Sequence, residues 1–368
     1  MSPQPLRRRI GQLLIGSFNG SDVPVEMRAL ARDFDLGGIT IFGKLGNIET
    51  PEQVAGLSFD VRSLGREMPA WVGIDQEGGR VARLRSPFTE WPPMAVLGRS
   101  GDPVLARKFA GALAAELKAV GISLDYAPVL DIHTNPKNPV IGDRALSEKP
   151  EIVSKLGRVI IDELQKGGVA ACGKHFPGHG DTATDSHLEL PIVEHAPDRL
   201  RAIEFAPFKA AIEAGVASIM TAHILVTSID DERPATMSPK IVRSLLREEL
   251  GFDGVIISDD LEMKAILDSY AVGDAAVAAI AAGCDALLIC GSGKPANIEL
   301  QAQALEALIH AVEDDRLPIK RVEDALERNR RAKERFLREW RPPTAAQLRT
   351  TIGSEQHRAI SEQMAEFA

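Results

Sequence analysis

Short apolar runs, five of the seven closing on an aspartate or histidine, recur along the chain: GGITIF (37–42), AWVGID (70–75), GISLDYAPVLD (121–131), GVAACGKH (168–175), ASIMTAH (217–223), GVIISDD (254–260) and DALLIC (285–290). They are near-continuous in apolar residues rather than alternating, the pattern of strands covered on both faces. Between them lie stretches of helical periodicity, PVLARKFAGALAAELKAVG, EIVSKLGRVIIDELQKGG, RAIEFAPFKAAIEAG and DAAVAAIAAG, several closing on the glycine that commonly stops a helix. The alternation predicts an α/β fold with a parallel sheet, and seven such units point to a single closed (β/α)8 barrel of the TIM type rather than an open doubly wound sheet. An eighth strand is not evident. The N-terminal MSPQPLRRRIGQLLIGSF reads as an amphipathic first helix, because its apolar run is too brief for a secretion signal and no small-residue cleavage site follows. No repeat or Ser/Gly-rich linker divides the chain. Residues 1–340 are therefore expected to form the barrel domain, and 341–368, after a proline break, a polar helix packed outside it.

In such a barrel the chemistry lies where the C-terminal strand ends and their loops converge. Here those ends carry Asp75, Asp131, Lys174 with His175, His223, and Asp259 with Asp260. One polar residue at a strand end is commonly only a helix cap. This many together mark a pocket mouth. Over it would rise KHFPGHGDTATDSH (174–187), a segment with three histidines, two aspartates, a lysine and two glycines and almost nothing apolar to bury.

Composition narrows the function classes. A chain of 368 residues with 44% hydrophobic and 26% charged residues is globular, and a net charge of −9 with interspersed signs offers no basic stripe for nucleic acid. No apolar stretch approaches the roughly 20 residues that cross a bilayer. The three cysteines, Cys172, Cys284 and Cys290, sit in or beside apolar runs, as buried thiols in a reducing cytoplasm would. No partner chain is implied, and a monomer is the simplest assembly.

Several motifs are set aside. GSGK (291–294) lacks the leading glycine of a phosphate-binding loop, since Leu288 stands at that offset. His175, His179 and His187 have ligand chemistry but no rigid ligand spacing, so no metal or other cofactor is expected. Ser186, between Asp185 and His187, lacks the glycine elbow that presents a nucleophile. Glycosidic hydrolysis needs one group to protonate the leaving oxygen and another to act at the anomeric carbon or on water. Asp259 at the mouth is a natural anionic partner. His187 is a candidate proton donor, because Asp185 two residues earlier can bond the imidazole, fix its tautomer and favour its charged form. IDQEGGRVARL (74–84) adds Asp75, Arg80 and Arg83, residue types that read polyol hydroxyls. The glycines of the 174–187 segment read as hinges of a loop that swings over bound sugar.

IDQEGGRVARL, IGDRALS (141–147), KHFPGHGDTATDSH and GVIISDDLEM (254–263) together resemble glycoside hydrolase family 3, specifically the β-N-acetylglucosaminidases of bacterial peptidoglycan recycling, over roughly residues 8–335. The resemblance implies a retaining exo-enzyme that removes non-reducing N-acetylglucosamine from β-1,4-linked muropeptide fragments. It places the nucleophile on Asp259, the acid/base on His187, its dyad partner on Asp185, and sugar contacts on Asp75, Arg83, Arg144, Lys174 and His175. Leu146 departs from the aromatic that relatives tend to carry there, which bears on the packing of Arg144. Other readings stay open: a β-glucosidase-type member of the family, a substrate-assisted hexosaminidase using Asp259 with Asp260, or a sugar-binding protein whose tail blocks the pocket.

Overall fold

The computed structural model describes residues 6–291, 294–337 and 339–368. Eight strands, β1 (Leu14–Gly16), β2 (Gly38–Thr40), β3 (Trp71–Ile74), β4 (Leu124–Asp125), β5 (Ala170–Phe176), β6 (Ser218–Thr221), β7 (Val255–Asp260) and β8 (Ala286–Leu288), close in chain order into a parallel barrel. Each pairs with its sequence neighbour, and β8 returns to β1 with Leu287 opposite Leu14. The expected (β/α)8 barrel is what the chain forms. Strand side chains divide between two apolar clusters. Ile15, Trp71, Leu124, Cys172, Met220, Ile257 and Leu288 fill the barrel, while their alternates Leu14, Val72, Ala171, Ile219, Ile256 and Leu287 pack under the helices. Burial on both faces is why the runs show no alternation. Phe336, ending the helix Ile319–Phe336, lies 6.5 Å from the Trp71 ring and plugs the N-terminal end of the barrel.

The strand that was not evident in the sequence is β1. The N-terminal stretch is helical only over Leu6–Gly11, beyond the undescribed residues 1–5, and Leu14–Gly16 then enters the barrel. A Cβ at Gly11 would stand 1.8 Å from the Phe34 carbonyl oxygen, so the close approach that ends the helix is open only to glycine. Because Ile10, Leu13 and Leu14 are all buried, three residues of strand read as one more turn of the apolar helix face. Ser292 and Gly293 of the discarded GSGK motif lie outside the described residues.

Beyond Trp340 the chain forms two helices, Ala345–Thr351 and Glu355–Ala365, capped by the hydroxyls of Thr344 and Ser354. Leu348, Ile352 and Met364 join the main apolar cluster. Buried Glu116, on the helix Pro103–Ala119, accepts bonds from the Gly353 N–H at 3.0 Å and His357 Nδ1 at 2.8 Å. The tail thus rides on the outer helices, and none of its residues lines the cavity described below. It does not block the pocket.

At the opposite end of the barrel from that cavity, fully buried Asp285 precedes β8. It pairs with Arg247, with Arg321 at 2.7 Å and with Arg328 at 3.4 Å, and also accepts the Ile256 N–H at 3.0 Å. Asp285→Ala would strand three largely covered guanidinium groups. It is expected to lower stability by about 3–5 kcal/mol, read as a shifted urea midpoint. A shift below about 1 kcal/mol would show that these charges reach solvent on their own.

Candidate active site

The strand ends enclose a cavity of about 310 Å³ lined by, among others, Asp75, Arg83, Arg144, Lys174, His175, Asp185, His187 and Asp259. All the site residues expected from the sequence meet there. Registers shift at the C-terminal ends of β5 and β7, where pairing gives way to loops that turn side chains inward.

The wall is built from β3. After Asp75 the chain folds back as a small antiparallel pair, Gln76–Gly78 with Val81–Ala82. Gln76 fastens it: its Oε1 accepts the N–H groups of Arg83 at 2.8 Å and Leu84 at 2.9 Å, and its Nε2 donates to the Leu84 carbonyl. Arg83 thereby reaches Asp75 at 3.1 Å. On the other side Lys174 donates to Asp75 and to Glu77, each at 2.7 Å, and Glu77 takes Arg144 bidentately at 2.8 and 2.9 Å. The result is an alternating chain of charges, Arg83, Asp75, Lys174, Glu77, Arg144. Burial raises the carboxyls, but Lys174 and then Arg83 hold Asp75 below its ordinary value, and Arg144 and then Lys174 hold Glu77 at about 2. Lys174 is likewise desolvated, yet Asp75 and Glu77 keep it above the usual lysine value. The wall therefore stays ionised at neutral pH. Glu77, 1% exposed in its side chain, does not line the cavity but holds two cations that do. It fixes Arg144 whatever stands at Leu146, which is itself buried.

The 174–187 segment differs from its reading as a polar hinge. Its first half is buried, anchored by polar groups rather than apolar ones. Asp131, 1% exposed, accepts the N–H groups of His175 and His179 and bonds His175 Nδ1 at 2.7 Å. Asn138 donates to the His179 carbonyl at 2.8 Å and to the Thr182 hydroxyl at 3.1 Å. That hydroxyl donates to the His179 carbonyl, so His179 Nδ1–H must donate to Thr182, leaving Nε2 to accept from Ser186 at 3.0 Å. Burial and then the neighbouring His175 lower His179 to about 4, consistent with this neutral form. The glycines answer to space. Gly178 has φ +125°, and a Cβ on Gly180 would stand 1.8 Å from the Ile132 carbonyl oxygen. The three histidines do not converge on a point, and no group of His, Cys, Asp and Glu among the described residues is arranged to hold a metal.

The exposed tip carries His187. Asp185 Oδ1 accepts its backbone N–H at 2.8 Å and bonds its Nδ1 at 2.8 Å. An Nδ1–H donated to the carboxylate leaves Nε2 as the ring nitrogen that can act as a base when neutral and an acid when protonated. The carbonyl of Ser186 accepts the Ala265 N–H at 3.2 Å, tying the tip to the short helix Lys264–Leu267 after β7.

Asp259, the penultimate residue of β7, lines the cavity. Burial raises its carboxyl, but His223 first, then His175, the Asp260 N–H at 2.8 Å and His187 outweigh it and leave Asp259 below the ordinary value. Asp260 differs: burial drives it up to about 7, against the N–H groups of Cys290 and Glu262 bonded to its Oδ1. Fully buried His223 donates Nε2–H to the Asp260 carbonyl at 2.9 Å and bonds Thr236 through Nδ1 at 2.8 Å. It stands beneath the two aspartates as a brace.

A model of the glycosyl hydrolase family 3 N-terminal domain matches residues 5–332. The chain is 34% identical over 368 residues to β-hexosaminidase A of Pseudoalteromonas piscicida, an alignment covering 93% of this chain and 60% of that protein. Among solved structures, a family 3 β-N-acetylglucosaminidase from a Paenibacillus species superposes with a TM-score of 0.92 at 39% identity, covering 99% of this chain and 69% of that one. NagZ from Neisseria gonorrhoeae in complex with N-trifluoroacetyl-D-glucosamine superposes with a TM-score of 0.77 at 30% identity, covering 97% and 98%. With that match running through the whole barrel and its charged mouth, the chain belongs to glycoside hydrolase family 3, alongside the β-hexosaminidases.

Proposed function

We propose that this protein is a retaining exo-β-N-acetylglucosaminidase that releases N-acetylglucosamine from the non-reducing end of β-1,4-linked muropeptide fragments during cytoplasmic cell-wall recycling. One observation carries the reading. The ionised carboxylate of Asp259 and the Asp185–His187 pair open onto the same small cavity, beside a wall of paired charges. At about 310 Å³ the cavity is at the low end for ligand pockets, which suits one sugar ring rather than a chain.

In the first step Asp259 attacks the anomeric carbon as the glycosidic bond breaks, and the imidazolium of His187 gives its Nε2 proton to the departing oxygen. Neutral His187 then takes a proton from water, whose oxygen displaces the Asp259 ester and restores both groups. Asp75, Arg83, Arg144, Lys174 and His175 hold the sugar hydroxyls. Because Asp75 and Glu77 pair with all three cations, that wall holds its donors in fixed directions. Asp260 suits substrate assistance poorly, since its Oδ1 already accepts two backbone N–H groups.

The test is hydrolysis of 4-nitrophenyl N-acetyl-β-glucosaminide followed by NMR. The β anomer of N-acetylglucosamine should appear first and then mutarotate. An α anomer as first product would exclude the two-step route, and no turnover of any β-N-acetylglucosaminide would exclude the activity.

A further inference from the structure

Five lysine and arginine side chains line the cavity. Four hold carboxylates: Arg83 and Lys174 on Asp75, Arg144 on Glu77, and Arg80 on Asp143 at 3.0 Å. The fifth, Lys44, makes no ion pair among the described residues. Its ammonium lies 5.2 Å from the centroid of the Phe42 ring, over which Arg83 also stands at 5.5 Å.

The position is built rather than loose. Lys44 sits in a one-turn 3-10 helix, Gly43–Leu45, just past β2. Fully buried Asn47 pins the turn from below: its Oδ1 accepts the Phe42 N–H at 2.9 Å, and its Nδ2 donates to the carbonyls of Phe18 and Gly20 at 3.0 and 2.8 Å. Gly46, at φ +77°, turns the chain away. Partial burial and then Arg83 lower the ammonium below its ordinary value, with Asp260 and Asp75 acting the other way more weakly. A cation held at a cavity by a rigid turn, partly stripped of water and given no carboxylate, has unspent capacity for an anion.

The inner sugar does not call for it. N-acetylglucosamine is uncharged, and the proposed wall already meets its hydroxyls. The Gly43–Lys44 turn is exposed at the rim, and what lies at the rim of an exo-acting pocket is the leaving group. We propose that Lys44 is a specificity residue whose ammonium receives a carboxylate carried by the aglycone, so that acidic aglycones such as an N-acetylmuramic acid are preferred over neutral N-acetylglucosamine. The proposal rests on the hexosaminidase reading above.

The experiment compares kcat/KM for two disaccharides, N-acetylglucosaminyl-1,6-anhydro-N-acetylmuramic acid and neutral N,N′-diacetylchitobiose, in the wild type, Lys44→Gln and Lys44→Arg. Wild type should favour the acidic disaccharide. Lys44→Gln should shrink that preference by about tenfold, the scale of one charge-assisted bond, and Lys44→Arg should keep most of it. A third substrate, whose lactyl carboxylate is amidated to a peptide, tells the source of the anion. Loss of preference in the wild type assigns the lactyl carboxylate, and retention assigns the peptide's own carboxylates. The proposal is overturned if Lys44→Gln slows both disaccharides by one factor, which would put Lys44 on the shared sugar, or if it leaves the ratio unchanged. Should wild type cleave neither disaccharide, the hexosaminidase reading itself fails and takes this proposal with it.

Discussion

Replacing Asp259 by alanine is expected to lower kcat by at least about 10³-fold, because removing a covalent nucleophile removes a route and not merely one contact. Asp259 is suited to attack: burial strips its water, while His223, His175 and the Asp260 N–H keep it ionised. Asp260 lies one residue on, buried, with its Oδ1 bonded to the N–H groups of Glu262 and Cys290. Asp260→Asn keeps that acceptor and should slow turnover by about tenfold or less. A slow fluorinated N-acetylglucosaminide should trap a sugar ester on the peptide containing Asp259, seen as a mass increment absent from Asp259→Ala. If the increment falls on Asp260, or if Asp260→Asn is the inactive variant while Asp259→Ala turns over, the nucleophile has been misassigned. Circular dichroism and urea midpoints of both variants separate lost chemistry from lost fold.

Fold and site were not equally legible. Seven barrel strands stand out because each is buried on both faces, and five of them run into an ionisable residue at the mouth. β1 does not, for its three residues continue the apolar spacing of the helix before them and close on Gly16. A Cβ at Gly16 would meet Gln301, so packing there leaves no room for a side chain at the strand end. The cavity-lining residues were readable because strand ends converge. The braces behind them were not, since Glu77 is separated from Arg144 by 67 residues and looks like one more loop carboxylate. One local signal was available: in the extended Gln76–Gly78 segment, positions 75 and 77 fall on the same side, so two carboxylates facing a single buried lysine were implied. The glycines of the 174–187 loop show a different limit. Polar composition suggested motion, whereas buried Asp131 and Asn138 satisfy the loop's backbone, and Gly180 is small because the Ile132 carbonyl leaves no room. Composition reports what a segment lacks in apolar anchors but not what hydrogen bonds replace them.

The tip beyond that anchored half sets the second large expectation. His187→Ala should lower kcat/KM by about 10²–10⁴-fold for sugar leaving groups, which depart as poor alkoxides unless protonated. It should cost about tenfold or less for 2,4-dinitrophenyl N-acetylglucosaminide, whose phenolate leaves unaided. The contrast follows from geometry: Asp185 Oδ1 holds both the His187 N–H and Nδ1 at 2.8 Å, so the other ring nitrogen is the one free to exchange a proton at the mouth. Asp185→Asn should show the same dependence on leaving group in weaker form, because an amide that donates to Nδ1 stabilises the wrong tautomer while preserving the ring's place. With the activated aryl substrate, formation of the glycosyl ester remains fast but its hydrolysis loses the base, so both variants should show a burst followed by a slow steady state. Added imidazole or azide should speed that second phase. Glu77 cannot take over the task, since Arg144 and Lys174 hold it ionised and buried away from the cavity. Equal slowing of dinitrophenyl and disaccharide substrates by His187→Ala would remove His187 as the acid and direct attention to Glu262, which burial raises above its ordinary value even as the Gly291 N–H bonds it.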